Sequence, residues 1–104
     1  MKKYILTIGL NDKDTKQPKY DIITAYKMIE SACKQYTEGY SLYQTKGGYK
    51  HDDGTFVQED SIRAEFLYTT EVQVRCIANA IKAPTCLNQE SIMFEVVETE
   101  IAFI

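Results

Sequence analysis

Two helical stripes, each set between stretches of strict alternation, constrain this chain more than any other feature. Ile22, Tyr26, Ile29, Cys33 and Tyr36 recur at spacings of four, three, four and three, which is one continuous apolar face of a helix. Asp21 stands where a cap would begin that helix, and Gly39 where a left-handed residue would end it at least cost. Thr70 and Gln73 form a capping box that opens a second helix, with Val74, Ile77, Ala78 and Ile81 facing inward until Pro84 stops it. Elsewhere the period is two. Tyr4, Leu6, Ile8 and Leu10 alternate along residues 3–10. Residues 40–50 and 55–68 predict two strands joined by His51-Asp52-Asp53-Gly54, whose Asp-Gly step is a hairpin signal. On the second of them Ile62, Ala64, Phe66 and Tyr68 share an apolar face. Ile92, Phe94 and Val96 alternate with Met93, Glu95 and Val97, so residues 89–103 predict a long final strand.

The order is β-α-β-β-α-β. It predicts one α+β domain over residues 1–104 with a ferredoxin-like fold, a four-stranded antiparallel sheet carrying both helices on one face. The other face is then open, and Tyr43, Glu59 and Arg63 are expected on it, depending on register.

Composition excludes several classes. With 104 residues there is room for one core, and 44% hydrophobic against 26% charged residues is inconsistent with wholesale disorder. No apolar run approaches the roughly 20 residues of a membrane span. Lys2 and Lys3 precede an apolar stretch as in a signal peptide, but Tyr4 to Leu10 is broken by Thr7 and Gly9 and meets no cleavage site, so a strand of a cytoplasmic protein is expected. Cys33, Cys76 and Cys86 are odd in number and lack C-x-x-C spacing, which points to reduced thiols. Net charge is −3 but uneven: residues 1–50 carry +4 and residues 51–104 carry −7. Such asymmetry marks either an acidic interaction surface or ordinary solvated faces.

The stretch Thr45–Asp60 gathers three glycines, the only histidine and several carboxylates. Gly47, Gly48 and Gly54 flank a hairpin rather than a strand-to-helix junction, so they make no phosphate loop. His51, Asp52 and Asp53 are consecutive in a turn and diverge, which argues against a metal or acid–base site. Ser61 and Ser91 lie in no nucleophile context. An RNA-recognition module shares the element order, but its third-strand aromatics are replaced by Gln58 and Asp60, and an acidic hairpin repels phosphate. The expectation is a hairpin whose glycines bend or bulge its strands, with no catalytic residue, metal, cofactor or direct nucleic-acid contact.

Gly47-Gly48-Tyr49, Gly54, Val57, Glu59 and Ser61, with Leu-Thr-Ile-Gly-Leu-Asn-Asp at residues 6–12 and Asn-Gln-Glu-Ser-Ile at residues 88–92, resemble an uncharacterised family of bacterial and phage domains. The resemblance spans nearly the whole chain. Tyr49 stands where that family typically has Trp. The resemblance implies a ferredoxin-like fold and a short phage or mobile-element member, and supplies no catalytic residues. The expected function is therefore a non-enzymatic protein that binds a macromolecular partner, such as an inhibitor of a nucleic-acid-binding host defence nuclease of the anti-CRISPR kind. Its contact residues would be Tyr43, Tyr49, Asp52, Asp53, Glu59, Gln89, Glu90, Glu95, Glu98 and Glu100, the carboxylates standing in for phosphates. The alternative is a small-molecule or enzymatic pocket lined by Tyr43, Tyr49 and Glu59. Ile101, Phe103 and Ile104 keep the last residues apolar, which predicts a homodimer built by sheet faces or the last strands with this tail inside the contact; the competing reading folds the tail onto the first helix.

Overall fold

The computed structural model describes residues 1–104 as β1 (Lys2–Gly9), α1 (Ile22–Tyr36), β2 (Ser41–Lys50), β3 (Phe56–Phe66), α2 (Glu71–Lys82) and β4 (Met93–Glu98). The four strands form one antiparallel sheet in the order β2-β3-β1-β4. Both helices pack on the same side of it, the ferredoxin-like α+β arrangement that the element order predicts. The core lies between the layers: Tyr4, Leu6 and Ile8 of β1 and Ile62, Ala64 and Phe66 of β3 meet Ala25, Ile29 and Cys33 of α1 and Val74, Ile77 and Ile81 of α2. Phe94 of β4 stacks on Tyr4 with ring centroids 5.8 Å apart.

The helix starts follow their sequence signals. Asp21 accepts from the Thr24 N–H at 2.7 Å. Thr70 and Gln73 make the reciprocal box, with the Thr70 N–H donating to Gln73 Oε1 at 2.8 Å and the Gln73 N–H to Thr70 Oγ1 at 3.2 Å.

Four local expectations are corrected. Gly39 is no left-handed cap: α1 ends at Tyr36 on an extended Thr37, whose N–H still reaches Cys33 O. β3 ends at Phe66, and Tyr68, at φ 57°, turns its ring into solvent instead of onto the apolar face. Gly47 and Gly48 make no bulge, because β2 and β3 pair in unbroken register from Ser41↔Glu65 to Lys50↔Phe56. β4 covers only Met93–Glu98, for two reasons. At its start, Asn88 is left-handed (φ 51°) and the Gln89 side chain bonds into a loop. At its end, β1 runs out: Lys2 opposes Glu98, and the Thr99 N–H to Met1 O bond is the last rung.

The two oppositely charged halves interleave across the sheet. β2 and β1 belong to the basic half, β3 and β4 to the acidic half, and the order β2-β3-β1-β4 alternates them. Lys46 therefore meets Asp60 at 3.8 Å, Lys3 meets Glu65 at 3.6 Å, and Lys2 stands opposite Glu98. Surface pairs of this kind are worth at most about 1 kcal/mol each, but their placement breaks up a single acidic face.

Register sets Lys3, Ile5, Thr7, Tyr43, Glu59, Arg63, Glu65, Met93 and Glu95 on the face without helices. Ile5 is nevertheless only 2% exposed, enclosed by longer side chains. No helix is long and apolar enough to cross a membrane.

Candidate functional site

The topology brings three connections to one end of the sheet. Gly9, the end of β1, opposes Ser61, while Thr7 opposes Met93 at the start of β4. The β1–α1 loop, the β2–β3 hairpin and the α2–β4 segment consequently surround a cleft of about 730 Å³. That volume lies within the range of ligand sites. Its walls are mostly polar: Asn11, Asp12, Lys13, Lys16 and Gln17 from the first connection, Tyr49, His51, Val57 and Glu59 from the hairpin, Gln89, Glu90 and Ser91 from the last.

The first and last connections are fastened together by side-chain amides. Asn88 Nδ2 donates to Asp12 Oδ2 at 3.1 Å and to Asp14 Oδ2 at 2.8 Å, and the Lys13 N–H donates to Asn88 O at 3.0 Å. Asp12 Oδ1 accepts from the backbone of Asp14 (2.8 Å) and Thr15 (3.2 Å), while Gln89 Nε2 donates to Asn11 O at 2.7 Å. The segments Asn11–Asp12 and Asn88–Gln89 thus form one structural unit.

The Asp14 backbone N–H and the Asn88 amide both favour ionised Asp12 and hold its pKa below the ordinary aspartate value. A carboxylate whose pKa is lower in the folded state stabilises that state above its unfolded value, about 3.9, and this contribution is lost as pH falls through the folded value. The fastening should hold from neutral pH down to about 4 and release below it. NMR should record this as loss of the Asn88 side-chain and Lys13 amide protection while core amides stay protected; release at neutral pH would contradict it.

Glu59 occupies the middle of the cleft. Its cross-strand partner is Gly47, and its carboxylate lies flat over Gly9, where a Cβ would sit 2.5 Å from Oε1. Oε2 accepts from the Asn11 N–H at 2.9 Å. Oε1 accepts no hydrogen bond, and no lysine or arginine pairs with this half-buried group. Tyr49, half exposed, meets His51 edge-on at 5.1 Å between centroids. Lys13 and Lys16, also on the walls, pair with no carboxylate, the Lys16 ammonium donating instead to Lys13 O at 2.7 Å, so the walls carry charge of both signs outside any ion pair.

Of the residues singled out from sequence, Tyr49, Glu59, Gln89 and Glu90 come together here. The others do not. Tyr43 lies farther along the open face, opposite Arg63. Asp52 and Asp53 are exposed at the hairpin tip, where Asp53 accepts from its own turn at the Thr55 N–H (2.9 Å). Glu95 and Glu98 belong to β4, and Glu100 follows it. Asn11, Asp12, Lys13 and Lys16 were not anticipated as wall residues; the signal for them is the topology itself, which sends the β1–α1 loop to the hairpin end. A nucleophilic cysteine is absent from the cleft walls, and burial pushes the Cys33 thiol up to about 12.

No family model matches the chain, and no curated protein matches it. Solved structures do. A phage SAM lyase in complex with S-methyl-5′-thioadenosine is similar at 20% identity and a TM-score of 0.65, covering 93% of this chain and 80% of that one. The periplasmic divalent cation tolerance protein CutA from Archaeoglobus fulgidus is similar at 10% identity and a TM-score of 0.57, covering 99% and 88%. A DUF3240 family protein from Shewanella baltica follows at 8% identity and 0.54, covering 99% and 94%. At these identities the likeness is one of fold.

Proposed function

We propose that the three-loop cleft binds S-adenosylmethionine and cleaves it to S-methyl-5′-thioadenosine. The observation that carries this reading is the half-buried Glu59 carboxylate, which has no cation of its own chain and one oxygen free, in a cleft whose walls also hold two lysines outside any ion pair. A buried charge is retained where something pairs with it, and a ligand bearing both an ammonium and a carboxylate satisfies both walls. S-adenosylmethionine is such a ligand, and the likeness to a phage SAM lyase supports the choice. As the bond between sulfur and the ligand's γ-carbon breaks, both electrons go to sulfur, while the ligand's own carboxylate oxygen bonds to that carbon and closes a lactone. The positive charge on sulfur and the negative charge on the carboxylate therefore both diminish in the transition state. A carboxylate pressed against sulfur would favour the ground state; holding the ligand's ammonium, whose charge is unchanged through the step, does not. Incubation with S-adenosylmethionine, followed by chromatography, should show S-methyl-5′-thioadenosine accumulating above the uncatalysed rate. No product, together with no heat of binding at millimolar ligand, would end the proposal.

A second reading rests on the unpaired outer edge of β4. Glu98 and Glu100 are exposed along it beside Met93 and Val96, a surface that would suit a basic partner such as a host defence nuclease. Binding to such a complex should weaken as salt rises and on charge reversal of Glu95, Glu98 and Glu100.

The tail beyond β4 bears on assembly. Phe103 is 84% exposed, and Ile101 and Ile104 also face solvent, so the tail does not fold onto α1. Burying three such side chains would contribute about 1.5–3 kcal/mol each, and a homodimer that encloses them is the proposed state. Deleting residues 101–104 should convert dimer to monomer by light scattering; an intact protein that is already monomeric would refute it.

A further inference from the structure

We infer that Glu59 and Gln89 form a paired-acceptor subsite for a primary ammonium group, an assignment that rests on the cleft being a ligand site. Gln89 is 8% exposed and lines the cleft. Its Nε2 donates to Asn11 O at 2.7 Å and to Leu87 O at 3.3 Å, which settles the orientation of the amide, because the reverse would set its oxygen against two carbonyls. Its Oε1 is left with no hydrogen bond in the chain.

Asn11 aligns the two acceptors. It is extended in its bridge to Pro18, and the Asp12 N–H to Gln17 O bond closes that bridge. The N–H and C=O of Asn11 itself therefore leave the opposite edge of the chain together. The N–H goes to Glu59 Oε2 and the C=O to Gln89 Nε2, so the two side-chain heads lie on one edge of one residue. Each has committed one atom to Asn11 and keeps one oxygen free. Gly9 completes the arrangement, since only a residue without Cβ lets the Glu59 carboxylate lie where it does.

Two free acceptors, one of them charged, select a group with several N–H donors and a positive charge. A primary ammonium has three donors and no acceptor. A hydroxyl pair would satisfy the geometry but leave the charge of Glu59 unpaired.

The test compares three probes by calorimetry: S-adenosylmethionine, its analogue lacking the amino group, and S-methyl-5′-thioadenosine. The wild-type protein should bind the first at least about 10-fold more tightly than the second, and Glu59→Ala should erase most of that ratio while weakening S-methyl-5′-thioadenosine little. Equal loss for all three probes in Glu59→Ala would overturn the ammonium assignment and leave the S-adenosylmethionine reading standing. Should none of the three bind, NMR titration with methylammonium and tetramethylammonium decides the subsite independently. Shifts of the Gln89 side-chain and Asn11 amides with methylammonium alone support it; equal response, or none to either, overturns it.

Discussion

Replacing Glu59 by alanine should lower affinity for S-adenosylmethionine about 10- to 100-fold, the loss expected for a hydrogen bond to a charged group, with turnover falling at least as far. The fold should stand. Glu59 makes one hydrogen bond to its own chain, to the Asn11 N–H, and no ion pair. Substitutions of such residues usually move stability by less than about 1 kcal/mol. Glu59→Gln keeps an acceptor for Asn11 and removes the charge, so it separates the two contributions. Calorimetry and chemical denaturation on the same preparations check both halves of the expectation. Unchanged affinity in a folded Glu59→Ala protein would remove the group on which the proposed function rests.

The largest stability effect is expected at Phe66. Its side chain is 0% exposed at the end of β3, opposite Tyr4, where the sheet meets the buried sides of both helices. Truncation to alanine removes most of a ring's burial and leaves a cavity that backbone pairing keeps from collapsing, which costs about 3–5 kcal/mol. Domains of this size have about 5–15 kcal/mol in all, so Phe66→Ala should lose a large share of the total. At about 4–8 °C per kcal/mol the melting temperature should fall by upwards of about 12 °C. Urea unfolding should show a lower midpoint with an unchanged slope, since the exposed surface is nearly the same. A midpoint shift near zero would mean that the ring is not packed as described.

Elements specified by their own residues were legible in the sequence: the stripe from Ile22 to Tyr36, the Thr70–Gln73 box and the Asp53-Gly54 turn each depend on neighbours within a few positions. What failed depended on distant partners. The length of β4 is set by where β1 begins, and no pattern within residues 89–103 reports that. Gly39 satisfied a local rule that the chain met otherwise, by an extended Thr37. The site was legible in pieces. Glu59, Tyr49, Gln89 and Glu90 were expected as contact residues and meet in the cleft, whereas Asp52, Asp53 and Glu98, expected as phosphate-like carboxylates of the acidic half, lie elsewhere. Asn11 was invisible because its part in the site is played by its backbone.

The alternation of basic and acidic halves across the sheet has a further consequence. β1 and β2 are separated by β3, and β3 and β4 by β1, so neither half of the chain contains two neighbouring strands. Each half has a helix and two strands and no sheet. Nearly all strand pairing is formed between the halves, and the sheet exists only once they interlock. Divided near the hairpin tip, the chain yields two fragments of opposite charge with no strand pair of their own, drawn together over a distance that salt shortens. The cleft would then reappear only on reassembly, since Glu59 and Gln89 come from one fragment and Gly9, Asn11 and Tyr49 from the other.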